Sequence, residues 1–301
     1  MRRKHHIDAT GAMLLIIISL VFGLNQTLTK IVNGGLQPVY QAGLRSLIGL
    51  MLIFLYALVA RKPLDMADGS FSPGVLAGLF FSAEFVLLFQ SLEYTTVSRA
   101  SIFFYSMPFW AAVAAHFFIP GERLTRWRLA GLFLAVLGIG LALYDNRFPA
   151  TERAIVGDLF CLVGAMFWAG IVIIARTTRL SRACPEMQLI YQLSISAIVL
   201  LAIAPYFGEP IRQLDNTIVL IFLVQTIAVV GFGFLTWFWL LSVYPASDMT
   251  SFSFLTPLFG VMFGWLILGE ELNKTIYLSL ALVCAGVYLV NRKPGFNRQT
   301  R

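Results

Sequence analysis

The chain has 301 residues, 58% of them hydrophobic and 12% charged, with a net charge of +7. A soluble domain normally carries about twice that charge to cover its surface, so composition excludes a water-soluble globular protein. The mean hydropathy of +0.81 points to lipid as the main solvent of the side chains.

The first residues, MRRKHHIDATGAMLLIIISLVFGL, have the basic start and apolar run of a signal peptide. No small-x-small cleavage site follows and a second apolar run begins at once, so this stretch reads as a retained first span. A span needs about 20 mostly apolar residues. Ten segments qualify: 11–32, 37–60, 73–92, 97–118, 126–144, 154–175, 187–206, 216–241, 246–268 and 275–291. Short connectors rich in turn formers separate them: NGGLQP, RKPLDMADGSFSP, PGERLT, DNRFPATE, GEPIRQLD and PASD. Lipid offers no partner to an exposed peptide group and no strand alternation is visible, so each segment is expected to be a helix. The expected fold class is therefore an all-α integral membrane protein of ten transmembrane helices. Cys161 and Cys284 lie inside apolar runs and, with Cys184, read as packing residues rather than a disulfide framework.

Lysines and arginines in the connectors set the expected orientation. With the N-terminus cytoplasmic, the inner pieces carry Arg2, Arg3, Lys4, Arg61, Lys62, Arg123, Arg126, Arg128, Arg176, Arg179, Arg182, Arg292, Lys293, Arg298 and Arg301. The opposite side carries Arg147, Arg153, Arg212 and Lys274, while Lys30, Arg45 and Arg99 fall within spans or at their edges. Both termini are thus expected on the cytoplasmic side of the cell's inner (plasma) membrane. Basic residues spread along membrane edges make no nucleic-acid footprint.

Two stretches resemble each other, SRASIFFYSMPFW (98–110) and SDMTSFSFLTPLF (247–259). Ser98 aligns with Ser247, Ser101 with Thr250, Tyr105 with Phe254 and Pro108 with Pro257; PGERL (120–124) then aligns with LGEEL (268–272), and Gly138 with Gly286. At the start of each half Pro38 aligns with Pro185 and Gln41 with Gln188. The copies are spans 1–5 (residues 11–148) and spans 6–10 (149–291), between tails 1–10 and 292–301. Five is odd, so the second copy must thread the membrane in the opposite sense, the inverted repeat of secondary transporters. GERLTRWR, inside, carries three arginines; its counterpart GEELNKTI, outside, keeps only Lys274.

The order of these features is specific: a basic residue early in span 2 (GLRSL), a proline inside span 4 (SMPFW), GERL before span 5, and a second Pro…GEEL set. It resembles the drug/metabolite transporter superfamily in its EamA-type, ten-span form, over almost the whole chain. The resemblance implies a carrier of small metabolites, often an exporter, with a central cavity between the halves and no ATP site. The family's Trp-Gly in span 1 is replaced here by Phe22-Gly23, with Trp168 in span 6 the nearest equivalent.

Within this frame the intramembrane polar groups are the candidate substrate or cavity residues. Glu84, in GLFFSAEFVLLFQ, lies roughly 16 Å into span 3, near the midplane. A charge there costs about 2.5–3.5 kcal/mol, so Glu84 is expected either to couple protons or contact substrate, or to be a structural carboxyl. Arg45, roughly 12 Å into span 2, could hold a substrate carboxylate or Glu84; the resemblance, with arginine common here across many substrates, favours a scaffold role. Its repeat counterpart is Gln192. Asn25 and Gln26 bond between helices or line a cavity, and Lys30 snorkels from the end of span 1 or joins them. Pro108 and Pro257 are expected to kink spans 4 and 9 as hinges. Ser98, Ser101, Tyr105, Pro108, Ala112 and Ala115 share one face, most of it expected to pack closely, with Tyr105 the cavity candidate. Trp168 and Tyr191 could stack on a planar substrate. Gly131, Gly138 and Gly140 read as packing glycines, and Glu122 and Glu270 as carboxylates at the starts of spans 5 and 10.

No G-x-x-x-x-G-K-[ST], H-E-x-x-H or G-x-S-x-G occurs, so the sequence offers no ATP motor, zinc protease or hydrolase elbow; no cofactor, metal or catalytic residue is assigned, and no enzyme is expected. The leading reading is a secondary transporter working by alternating access, with the lipid bilayer and a small-molecule substrate as partners and protons as the candidate coupling ion; that the cargo is an amino acid or similar metabolite, moved outward, is what the family resemblance implies. Import of a vitamin-like compound is the alternative within that class, and a membrane enzyme or flippase acting on lipid is the alternative outside it. Monomer and homodimer both remain open.

Overall fold

The computed structural model describes residues 7–66, 68–119, 125–144, 152–244, 252 and 255–291. Twelve α-helices account for almost all of them: α1 (Ala9–Val32), α2 (Pro38–Val59), α3 (Phe71–Tyr94), α4 (Val97–Phe104), α5 (Met107–Phe118), α6 (Arg126–Tyr144), α7 (Glu152–Thr177), α8 (Pro185–Ile203), α9 (Asn216–Thr226), α10 (Leu235–Val243), α11 (Leu255–Leu268) and α12 (Lys274–Asn291). Helices α4 and α5 form one span. A π-helical stretch, Ile227–Phe234, joins α9 to α10 in another, giving ten spans. Among the described residues seven helices or helix pairs are long and apolar enough to cross a membrane, with Leu255–Leu268 and Lys274–Val290 shorter apolar helices. The outward faces of the ten spans carry Met51, Leu55, Leu58, Phe133, Leu220 and Leu266, all exposed. The protein is a multi-pass membrane protein.

Local chemistry sets the helix starts. Asp8 accepts from the Gly11 amide at 2.9 Å and caps α1. Asp215 accepts from the Ile218 amide at 2.7 Å and caps α9. Both satisfy an amide that the first turn leaves unpaired. Pro38 and Pro185 occupy the first positions of α2 and α8, where no N–H is needed. These two prolines are repeat equivalents, so the same start signal opens the second span of each half.

The packing obeys the inverted repeat. Exchanging each span for the one five places on preserves the principal pairings across the two halves: α2 packs on α8, α4 on α11 and α6 on α12, each pair being its own image. Helix α3 packs on α7 as α1 packs on α9, and α7 packs on α4 and α5 as α1 packs on α11. The relation reaches single atoms at the α6–α12 crossing. A Cβ on Gly131 would lie 2.6 Å from the Gly286 carbonyl oxygen, and a Cβ on Gly138 would lie 2.8 Å from that of Ser279. Gly131 is equivalent to Ser279 and Gly138 to Gly286, so one contact is the image of the other. Small residues allow the backbones to approach this closely. Gly140 takes no part: a Cβ there meets nothing within 4 Å, and its reading as a packing glycine is corrected. Two residues beyond Gly138, it lies on the opposite side of the helix from the seam.

Span 4 is not a kinked helix but two helices meeting at Tyr105–Ser106. Pro108 lies in the first turn of α5, where its missing N–H costs nothing, so the break precedes the proline. Pro257 likewise is the third residue of α11. The counterpart of Tyr105, Phe254, with Ser247, Thr250, Glu122, Arg123 and tail residues 1–6 and 292–301, lies outside the described residues. The small face of span 4 packs as expected. A Cβ on Gly260 would sit 2.1 Å from Ser101 Oγ, and one on Gly264 3.1 Å from Ser98 Oγ.

Candidate functional site

Counted at 1.5 Å per residue, Asn25, Arg45, Glu84, Tyr105 and Trp168 all fall within roughly 7 Å of the middle of their spans. The fold brings them together from α1, α2, α3, α4–α5 and α7, so both halves contribute. Glu84 and Arg45 are 4% and 5% exposed; they are enclosed by protein and do not face acyl chains.

Arg45 donates from Nη1 to Asn25 Oδ1 at 3.0 Å. Its guanidinium lies over two rings of α3, 5.3 Å from the Phe85 centroid and 5.5 Å from that of Phe89, a cation–π placement that holds a buried cation without neutralising it. Glu84 is the neighbour of Phe85 and within Coulombic range of Arg45, yet the two are not hydrogen-bonded. Among the described residues Glu84 Oε2 has no hydrogen-bond partner. The site thus holds a cation and a carboxyl, close but separately placed. Two such charges are what a zwitterion presents in reverse.

Gln26 accepts from Ser101 Oγ at 2.8 Å, tying α1 to α4. Tyr105, at the break in span 4, donates to the Phe22 carbonyl at 3.2 Å. Trp168 stacks on Phe104 at 5.1 Å and meets Tyr105 edge-on at 6.2 Å, closing one side with aromatic surface. Phe22-Gly23 sits at a tight crossing. A Cβ on Gly23 would lie 2.9 Å from the Gly260 amide, and Phe22 rests against Gly233 and Phe234 of the π-helical stretch.

Two expected residues are elsewhere. Tyr191 is bonded to Ser70 at 3.1 Å and fills the space left by Gly74 at the start of α3; it is a packing residue one end away from the cluster. Gln192 is half-buried on α8 and makes no hydrogen bond to a described residue, so the repeat equivalence with Arg45 does not bring it into the group.

A second polar network closes the end of the bundle opposite Asp8. Asp158, 0% exposed, pairs with Arg99, accepting from Nε at 3.2 and 3.1 Å and from Nη2. It also accepts from Thr95 Oγ1 at 2.7 Å, and Lys30 donates to the Thr95 carbonyl. Glu270 accepts from the Val97 amide at 2.6 Å and from the Ser98 amide and hydroxyl at 2.9 and 2.6 Å. It therefore caps α4 across the molecule, not the span it precedes, which corrects the expected placement. Arg212 pairs with Glu93 and donates to the Asn33 carbonyl at 3.0 Å, beside a short antiparallel bridge between Leu36 and Ile211. Lys30 belongs to this closure and not to the central group. Sequence reasoning passed over Asp158, although its run, VGDLFCLVGAMFW, isolates one acid in apolar surroundings much as Glu84's run does.

The sequence matches the EamA-like transporter family over residues 9–144 and 155–292, once per half. The chain belongs to the EamA-like transporter family. This EamA protein is similar to a probable amino-acid metabolite efflux pump of Escherichia coli, 25% identical over 92% of this chain and 93% of that one. It is also similar to the uncharacterized transporter YoaV of Bacillus subtilis, 24% identical over 91% of this chain and 94% of that one. A crystal structure matches it with a TM-score of 0.66 and 18% identity, covering 94% of this chain and 96% of its own; at that identity the likeness is one of fold. The EamA protein is a transporter and not an enzyme.

Proposed function

We propose that this transporter is a secondary active carrier that exports a small amino-acid-like metabolite by alternating access, with proton coupling through Glu84. The observation that carries the reading is the pair Arg45 and Glu84: opposite in charge, buried at half-depth and not spent on each other. Arg45 offers its remaining N–H groups to a substrate carboxylate. Glu84 lies where it can accept the ammonium group or exchange a proton in its place. The relative named as a probable amino-acid metabolite efflux pump supports the substrate class and the outward direction.

The face bearing Asp8 is cytoplasmic in this reading, because the lysine- and arginine-rich connectors lie there. The Arg99–Asp158 network then closes the external side, so the arrangement belongs to the part of the cycle sealed from outside. Opening outward requires these bonds to part as the halves tilt, with the break at Tyr105–Ser106, next to Pro108, and the equivalent Pro257 as hinges. Substrate drives the exchange only through a difference in its affinity for the two arrangements.

Counterflow in proteoliposomes tests the proposal: labelled amino acid should accumulate against an internal excess of the same compound, faster as pH changes the protonation of the carboxyl. In Glu84→Gln the pH dependence should vanish. An unchanged pH profile in that variant would falsify the coupling role, and no counterflow for any amino acid would remove the carrier reading.

A further inference from the structure

We propose that Gln41 and Gln225 form an amide-recognition subsite beside Arg45, so that the preferred cargo is a small carboxylate-bearing solute that also carries a neutral amide. The inference rests on the carrier reading above and gives its substrate a second functional group.

Both side chains are 0% exposed. In each, neither Oε1 nor Nε2 has a hydrogen-bond partner among the described residues, and no other fully buried carboxamide among them is unpaired at both ends. Buried polar groups are nearly always paired, and an unpaired one destabilises the fold by its full desolvation cost. A leucine of similar volume would avoid that cost at either position. Two such residues on neighbouring elements therefore point to a polar occupant.

Their placement suits the central group. Gln41 is one helical turn from Arg45 on the same face of α2. Helix α2 packs against α9 and the π-helical stretch, and a Cβ on Gly49 would lie 3.2 Å from Val230. Counting back along both elements sets Gln225 level with Leu44 and Arg45. Contacts of Gly35 with Ile218 and of Phe22 with Gly233 set it level with residues 28–30 of α1, about one turn beyond Gln26, whose own Nε2 is unpaired. Gln225 also stands where α9 gives way to the π-helical turns; such wider turns re-aim side chains and recur at functional sites. A carboxamide presents one acceptor and two donors. Two of them can complete both edges of a planar amide, while Arg45 takes the carboxylate.

The test uses L-methionine counterflow in proteoliposomes, with unlabelled L-glutamine and L-methionine as competitors. In the wild-type protein glutamine should compete about tenfold better than methionine, and in Gln41→Leu or Gln225→Leu that ratio should fall by about tenfold, one buried hydrogen-bonded group's worth of discrimination. The unfolding midpoint of each variant should hold or rise, because an orphaned amide has been removed. Three results overturn the proposal while leaving the carrier reading intact: methionine exchange with no preference for glutamine; a ratio unchanged in both leucine variants, meaning that the amides hold only water; or lowered midpoints, meaning that they are structural. Absence of any exchange in the wild-type protein removes the carrier reading as well.

Discussion

Replacing Asp158 by leucine should leave the Arg99 guanidinium buried without its counter-ion. The side chains of the pair are 6% and 0% exposed, so solvent does not relieve the loss. Removing one partner of a buried ion pair costs about 3–5 kcal/mol, whereas exchanging both for apolar residues is often neutral or stabilising. The Thr95 hydroxyl also loses its acceptor, which adds about 1 kcal/mol. A double-mutant cycle of Asp158→Leu and Arg99→Leu should therefore give two strongly destabilised single variants and a double variant near wild-type stability. The coupling energy should be about 3 kcal/mol or more. Reversible unfolding in mixed micelles, followed by circular dichroism, measures it. Additive single effects would show that the pair is not the unit holding α4 to α7, and the description of the closed end would fail.

Gly131→Ala and Gly286→Ala should each destabilise by about 1–3 kcal/mol, because a Cβ drives into the facing carbonyl oxygen at the α6–α12 crossing; Gly140→Ala should gain up to about 1 kcal/mol of helix propensity, as read by thermal unfolding. Glu270→Ala should cost about 1–2 kcal/mol by uncapping α4, and hydrogen exchange should speed up at Val97 and Ser98, not at the start of α12. Outside the membrane, Lys62 bonds Glu186 at 2.7 Å, and this hydrogen bond raises the lysine above its usual 10.5. The pair's contribution is then full below pH 10.5 and lost as pH climbs through the raised value; melting curves taken upward from pH 9 should fall less steeply in Lys62→Met than in wild type.

The spans were legible because lipid enforces long apolar helices, and where the ends lie among the described residues the predicted and observed limits agree to within a few residues; span 5, 126–144, coincides with α6 in both bounds. The repeat was legible because glycine and proline have few uses in such helices. Central residues were legible where a charge interrupts an apolar run, as at Glu84 and Arg45. Interhelical bonding was not. Glu270 caps a helix 172 residues away from it along the chain, and no local pattern encodes that distance. Tyr191 and Gln192 were misplaced for the same reason: depth along a span can be counted, but the direction a side chain faces depends on which helix packs beside it. The break in span 4 shows a third limit, since proline marks the first turn of a new helix as readily as a kink in an old one.

The most direct measurement is the reactivity of Tyr105→Cys, with the three native cysteines changed to alanine, toward a membrane-impermeant thiol reagent applied separately to each face of sealed vesicles. A half-depth site opened alternately to the two sides predicts modification from both faces, each slowed when transported amino acid is present. Modification from one face alone, or from neither, would contradict alternating access around this site.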